Sequence, residues 1–324
     1  AEGLASNGSG CGNETASEKY MFRKFMIDSA TFLAEEYKLG GYRFDLMALH
    51  DLETMNLLTA ACKEINPNIT IYGEPWAGGT SGLSSGAATQ LNASKYQGYG
   101  QFNDQMRDAL IKGGLNAAAA KGWVSDEVTI DAKNVTVIEE GMKGITSGAS
   151  KPATTDPNKT VNYVTCHDNY TLVDRFEAAG IKSGSTRRKM ALLANSVVFT
   201  SQGTSFMLAG EEMFRTKDGD HNSYSSSYEV NELNYDLKVA FHDGFSAYQK
   251  LIALKQRVNG LHLNEEEIEG NYVTESLNGG SIIKVTFKDT ENGVEYVAYH
   301  SNGVTKDGDT GASIPVEGYE LYLD

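Results

Sequence analysis

No stretch of these 324 residues approaches the ~18 consecutive apolar residues of a membrane-spanning helix. Basic residues are scarce beside acidic ones, 28 Lys and Arg against 43 Asp and Glu, and no segment concentrates them. With a net charge of −15, neither nucleic acid nor an anionic membrane surface is an expected partner. Cysteines number three (Cys11, Cys62, Cys166), odd and widely spaced, which fits neither a disulfide framework nor a zinc site. They read as small apolar side chains. No His, Cys and carboxylate group shows ligand spacing, so no metal site is expected; Asp218-Gly219-Asp220 matches only a fragment of a calcium loop. The first residues carry neither a basic start nor an apolar core of the leader type.

What is present is enough apolar residue, 40% of the chain, for a large core and a second small domain. A Gly/Ser/Asn-rich lead-in (SNGSGCGN) precedes Thr15-Ala16-Ser17-Glu18, a capping-box pattern. Behind it, Phe22, Phe25, Met26, Ala30, Phe32 and Leu33 recur at helical spacing to about Tyr37. A second helix is expected from Asp51 to about Glu64. Strand, helix and strand then alternate, the signature of βα units on a parallel sheet. About five such strands end near residues 42, 72, 102, 164 and 208. Residues 117–120 read as helix, further helices are expected near 172–179, 187–196 and 238–257, and the long loop 77–94 suits binding. After Val258 the pattern becomes short alternating strands with Gly, Asn and Asp turns, an antiparallel module. The expected domains are therefore 1–258 and 259–324.

Three of the strands end in an acid: GYRFD in Asp45, ITIYGEPW around Glu74, VNYVTCHDN around Asp168. Open α/β sheets and barrels place their chemistry just past the strand ends. A single Asp there is more often a helix cap or a surface ion pair. Three acids with Arg43, His167 and Trp76 beside them point to a site. Two carboxyls can cleave a glycosidic bond when they sit ~5–5.5 Å apart, one as nucleophile and one as acid/base. Asp45 and Glu74 are 74 − 45 = 29 residues apart, one βα repeat, which makes their strands neighbours. Arg43 shares a strand face with Asp45 and can hold it ionised and oriented. Glu74, as proton donor, requires a raised pKa. Trp76 offers a plane on which a sugar ring can stack, and His167 and Asn169 flank Asp168 with hydrogen-bonding groups.

These segments resemble the alpha-amylase superfamily of glycoside hydrolases. GYRFDLMALHDLETMN, YGEPWAGG, FNDQMRDALIKG and SQGTSFMLAGEEMFRTKDGDHNSY are more specific and resemble the type I pullulanases, which cleave α-1,6 bonds in pullulan and branched starch. The resemblance implies the second half, about strands 4–8, of a (β/α)8 TIM barrel followed by an antiparallel β-sandwich domain. It implies Asp45 as nucleophile, Glu74 as acid/base and Asp168 as transition-state stabiliser. Arg43 and His167 would contact Asp45 and the sugar, Trp76 would stack on the leaving-side glucose, and Asn222 with its loop would line donor-side subsites. No redox or nucleotide cofactor is implied; Ca2+ is common in the family, but no calcium site carries over to these residues. Pro75 stands where the family often has Gly. The family's third-strand Asp and His and its Tyr-Asn-Trp-Gly-Tyr stretch are not in this sequence. An α-glucan substrate and the N-terminal half of the same protein are the expected partners. Other α-glucan hydrolases (isoamylase, amylopullulanase) and a non-catalytic glucan-binding relative are the alternatives, and the three intact acids favour an enzyme.

Overall fold

The computed structural model describes residues 6–114, 120–125, 130–147, 152–303, 310–316 and 319–323. Of the expected helix at 117–120, residues 117–119 lie outside this set. Two compact units divide the chain: one runs to Phe102 and includes Ile145–Val161, and the other holds Asn103–Gly144 and everything from Asn162 onward.

In the first unit, β1 (Gly41–Phe44), β2 (Thr70–Gly73), β3 (Gly100–Phe102) and the start of β4 (Thr160–Asn162) are neighbours in chain order, all parallel. Their one-sided partners are α1 (Tyr20–Glu36) and α2 (Leu52–Ile65). Ala30, Ala34, Met55, Leu58, Cys62, Ile69 and Ile71 form the core between them. This is the βα arrangement expected of near-continuous apolar strands.

The start of α1 differs from expectation. Its N-cap is Lys19, with no side-chain cap bond. Thr15, the capping residue of the expected box, is therefore not the N-cap, and Ser17 within that pattern is buried, donating to Asp51 Oδ2 at 2.7 Å and accepting from Asp51 N at 2.9 Å. The Ser17 hydroxyl thus serves a buried carboxylate, a charge-assisted hydrogen bond of the stronger kind. Asp51 itself caps α2, accepting from Thr54 N, and so shows what an ordinary acid in this region does. The loop after β2 is bonded to the lead-in, where Gly79 N donates to Gly8 O at 2.8 Å, and to the start of α2, where Leu52 N donates to Gly86 O at 2.8 Å.

The second unit contains α3 (Asp104–Ile111), α4 (Ala132–Met142), α5 (Leu172–Ala178), α6 (Gly184–Phe199), α7 (His242–Arg257) and strand β5 (Thr204–Ser205). Five antiparallel strands follow: β6 (Tyr272–Leu277), β7 (Ile282–Lys288), β8 (Glu295–Asn302), β9 (Thr310–Val316) and β10 (Tyr319–Leu323), paired in that order. One core joins this sheet to the helices: Met190, Leu193 and Val197 of α6 and Leu251 of α7 share it with Ile283, Val285, Phe287 and Ala298. Fully burying one such side chain contributes about 1.5–3 kcal/mol. Polar ties reinforce the seam. Tyr272 donates to Thr200 O at 2.7 Å, and the buried His300 ring lies between the hydroxyls of Ser196 and Thr200.

The expected helix over 238–257 is broken. A short turn, Asp236–Ala240, is followed by Phe241 at φ −122°, ψ 42°, and only then by α7. Phe241 is taken out of the helix by its ring contacts, edge-on to Phe214 at 5.8 Å and beneath the Arg188 guanidinium at 4.3 Å.

Candidate active site

The chain leaves β1 at Asp45 and turns sharply, because Leu46 adopts left-handed backbone angles (φ 43°, ψ 49°) before the short turn Met47–Leu49. This strained residue aims its N–H back at the neighbouring strand end, where it donates to Glu74 Oε2 at 2.8 Å. Glu74 N in turn donates to Phe44 O at 3.0 Å. Parallel pairing brings Phe44 opposite Gly73, so the next residues on each strand, Asp45 and Glu74, come level. Neighbouring strands lie ~4.8 Å apart, so the two acids leave adjacent strand ends, close enough for their side chains to hydrogen-bond. Gly73 is required by this closeness: a Cβ there would meet Phe44 O at 2.7 Å and Met47 Cβ at 2.8 Å.

Arg43 binds both acids. One guanidinium nitrogen pairs with Asp45 Oδ1, and the other reaches Glu74 Oε1 at 2.5 Å. The two carboxyls nevertheless sit in different surroundings. The Asp45 side chain is 69% exposed and that of Glu74 only 7%. Burial pushes the Glu74 carboxyl above its ordinary value, and the charge and hydrogen bond of Asp45 push the same way. The Leu46 N–H and Arg43 oppose this without cancelling it. The Glu74 pKa is thus raised, in the direction expected, beside the exposed Asp45 carboxyl. Behind Glu74, Pro75 is buried and Trp76 is half-buried.

The other expected residues are in the second unit. Asn162, at the end of β4, is buried and holds that end in place: it accepts from Asn103 Nδ2 and donates to Gly141 O and Gln202 O. Tyr163, Val164 and Thr165 are buried in turn, and the chain then surfaces at His167 and Asp168. Their side chains are 56% and 68% exposed, with His167 Nε2 3.6 Å from Asp168 Oδ1. Asn169 follows at φ 66°, a left-handed residue that turns the segment. Asn222 is exposed, its N–H donating to Asp220 Oδ1 at 2.9 Å. The described geometry thus brings Arg43, Asp45 and Glu74 together in one unit, and His167, Asp168 and Asn169 in the other.

Sequence reasoning passed over Leu46, whose side chain carries no signal for the job its backbone does. It also passed over Lys217, a lysine in a polar loop that is buried in the fold. Among the described residues no group of three or more His, Cys, Asp or Glu side chains is placed to hold a metal ion.

A scan of protein-family models matches none of them. The pullulanase of Bacillus subtilis (strain 168) is 34% identical over 257 residues, which are 78% of this chain and 35% of that protein. Among solved structures, the pullulanase from Bacillus acidopullulyticus superposes with a TM-score of 0.84 at 37% identity, covering 93% of this chain and 36% of that one. The pullulanase from Paenibacillus barengoltzii, in complex with maltohexaose and alpha-cyclodextrin, gives 0.83 at 35% identity, over 92% of this chain and 46% of that one. The chain thus spans about a third of the length of the curated relative it matches.

Proposed function

Because the chain belongs to the pullulanase family of the alpha-amylase superfamily, we propose that it carries the catalytic acids of a retaining α-1,6-glucan debranching hydrolase. The observation that carries this reading is the Arg43 bridge between an exposed Asp45 and a buried Glu74, whose pKa burial raises, on adjacent parallel strands. The Asp45 carboxylate attacks C1 of the glucose at the branch point and forms the C1–O bond of a glycosyl ester. Glu74 gives its proton to the departing O6, so the C1–O6 bond breaks and a sugar hydroxyl leaves. Glu74, now a carboxylate, takes a proton from water. That water oxygen attacks C1 from the face the leaving group vacated, and Asp45 is released with the configuration retained. In this reading His167, Asp168 and Asn169 bind sugar hydroxyls, with Asp168 as the transition-state stabiliser. Trp76 stacks on the leaving-side glucose, and Asn222 lines the donor side. Residues 1–258 carry the chemistry, residues 259–324 form the accessory β-domain, and the two carboxyls need no cofactor.

The reading also needs a wall for the site. Tyr20, Met21, Phe25, Phe32 and Tyr37 of α1 and its end are 75%, 70%, 61%, 55% and 67% exposed, with Met21, Phe25 and Phe32 at helical spacing on one side, as exposed apolar residues at an interface are. The occupant proposed for that face is the N-terminal half of the parent polypeptide, since the relatives are about three times longer than their match to this chain. The deciding experiment is hydrolysis of pullulan by the parent polypeptide, with product analysis and native mass. Maltotriose should be the product, and the 324-residue chain alone should be much less active. No hydrolysis by the parent would sink the reading; a product other than maltotriose would favour a different α-glucan hydrolase. Full activity from the isolated chain would remove the need for the N-terminal half.

The pH profile tests the role of Glu74. Its pKa is raised, so it stays protonated to higher pH than an ordinary glutamate, and kcat/KM should fall on the alkaline side as that proton is lost. Arg43 lowers the Glu74 pKa. Arg43→Gln should therefore move the alkaline limb to higher pH, whatever it does to the maximal rate. A limb that moves down or stays still would remove Glu74 from the role of acid.

A further inference from the structure

Lys217 takes no part in the mechanism above, yet its side chain is buried, with the residue 6% exposed. Its ammonium donates to Ser223 Oγ at 2.6 Å and to the backbone oxygen of His167 at 3.3 Å. Ser223 passes the bond on to Asn231 Oδ1 at 2.9 Å, and Asn231 Nδ2 returns to Ser223 O at 2.8 Å. From the other side α5 fixes the backbone of this segment. Asp174 Oδ2 accepts from Lys217 N at 2.7 Å, and Oδ1 accepts from the Thr216 hydroxyl at 2.5 Å. Beside the ammonium bridge, the rings of Tyr170 and His221 lie 5.3 Å apart. Two loops, 167–170 and 217–223, are therefore tied through one cation whose two acceptors, a hydroxyl and a backbone carbonyl, are both uncharged.

Burying an ammonium costs free energy, and here burial lowers its pKa, with Arg215 adding to the effect and Asp220, Asp168 and Asp174 opposing it. A hydrophobic residue of the same length would pack without that cost. The charge stays in place because of what it holds. One end of the bridge is the carbonyl of His167, directly before Asp168, and the other is Ser223, directly after Asn222. Resting on the debranching reading above, we infer that Lys217 is a positioning residue: by joining the His167 carbonyl to the Ser223 hydroxyl it sets the spacing between the two loops that grip the glucan.

A misplacement of about 1 Å in a positioned group can cost ~10²-fold in rate. In the parent polypeptide, Lys217→Met keeps the length of the stem and removes the bridge. It should lower kcat/KM for pullulan about 10- to 100-fold, with most of the loss in kcat, because Asp168 acts on the transition state. Lys217→Ala leaves room for a small cation. Added ethylammonium should then restore about 10-fold or more of its activity, whereas tetramethylammonium, which has no N–H, should restore none. Wild-type kcat/KM in Lys217→Met would overturn the inference. So would a loss in Lys217→Ala that ethylammonium does not reverse, since that is the mark of a purely structural lysine. A wild-type parent that fails to cleave pullulan would instead sink the debranching reading, and this inference with it.

Discussion

Asp45→Asn should lower kcat on pullulan by about 10⁴-fold or more while maltohexaose binding changes only a few-fold, because losing a nucleophile costs on this scale while ground-state contacts survive. Asparagine has the shape of the side chain it replaces, so the turn through Leu46 and the bond from Leu46 N to Glu74 are kept. What disappears is the charge that attacks C1. Arg43 remains held by Glu74, so the loop has no reason to unfold. The substitution has a second consequence with a definite sign: Asp45 is one of the groups that raise the Glu74 pKa. Without its charge, Glu74 titrates lower, and it is less often protonated at neutral pH. Both changes act against catalysis. Turnover within 10-fold of wild type, measured by reducing sugar release and by calorimetric binding of maltohexaose, would refute Asp45 as the nucleophile.

How much of this was readable before folding depends on which group does the work. Asp45 and Glu74 were legible because an apolar strand followed by an acid, repeated 29 residues later (74 − 45), constrains both position and neighbour. The raised pKa of Glu74 followed from the role assigned to it, and the burial that produces it is visible only in the fold. Local rules misled where a distant group competed. Thr15 to Glu18 fits a capping box, yet α1 starts behind Lys19 with no side-chain cap bond, and Ser17 within that pattern is bonded to Asp51, 34 residues away. The helical pattern of 238–257 is real, yet tertiary contacts of the Phe241 ring with Phe214 and Arg188 break it at one residue. Leu46 and Lys217 were illegible for a different reason. One acts through a backbone N–H in a left-handed turn that leucine does not advertise, and the other is a lysine whose burial depends on Asp174, Ser223 and the His167 carbonyl meeting around it.

Glu74→Gln separates the acid from the nucleophile. Glutamine fills the same buried space and can still accept from Leu46 N, so the strand ends stay in register, but it has no proton to give to O6. Loss of a general acid typically costs about 10²–10⁴-fold, and that is the expected fall in kcat on pullulan. The loss should depend on the leaving group. With α-maltotriosyl fluoride, fluoride departs without needing a proton, so glycosylation of Asp45 should recover most of its wild-type rate. The second half-reaction should remain slow, because the water then lacks the carboxylate that takes its proton. The maltotriosyl ester on Asp45 should therefore accumulate and appear as an added maltotriosyl mass on the intact protein. Asp45→Asn treated with the same fluoride should show neither turnover nor adduct, since it has no oxygen anion to form the ester. A Glu74→Gln variant that cleaves pullulan and the fluoride with equal loss, or that carries no adduct, would show that the buried carboxyl is not the acid/base and would return the exposed and buried carboxyls to the ordinary role of a surface ion pair around Arg43.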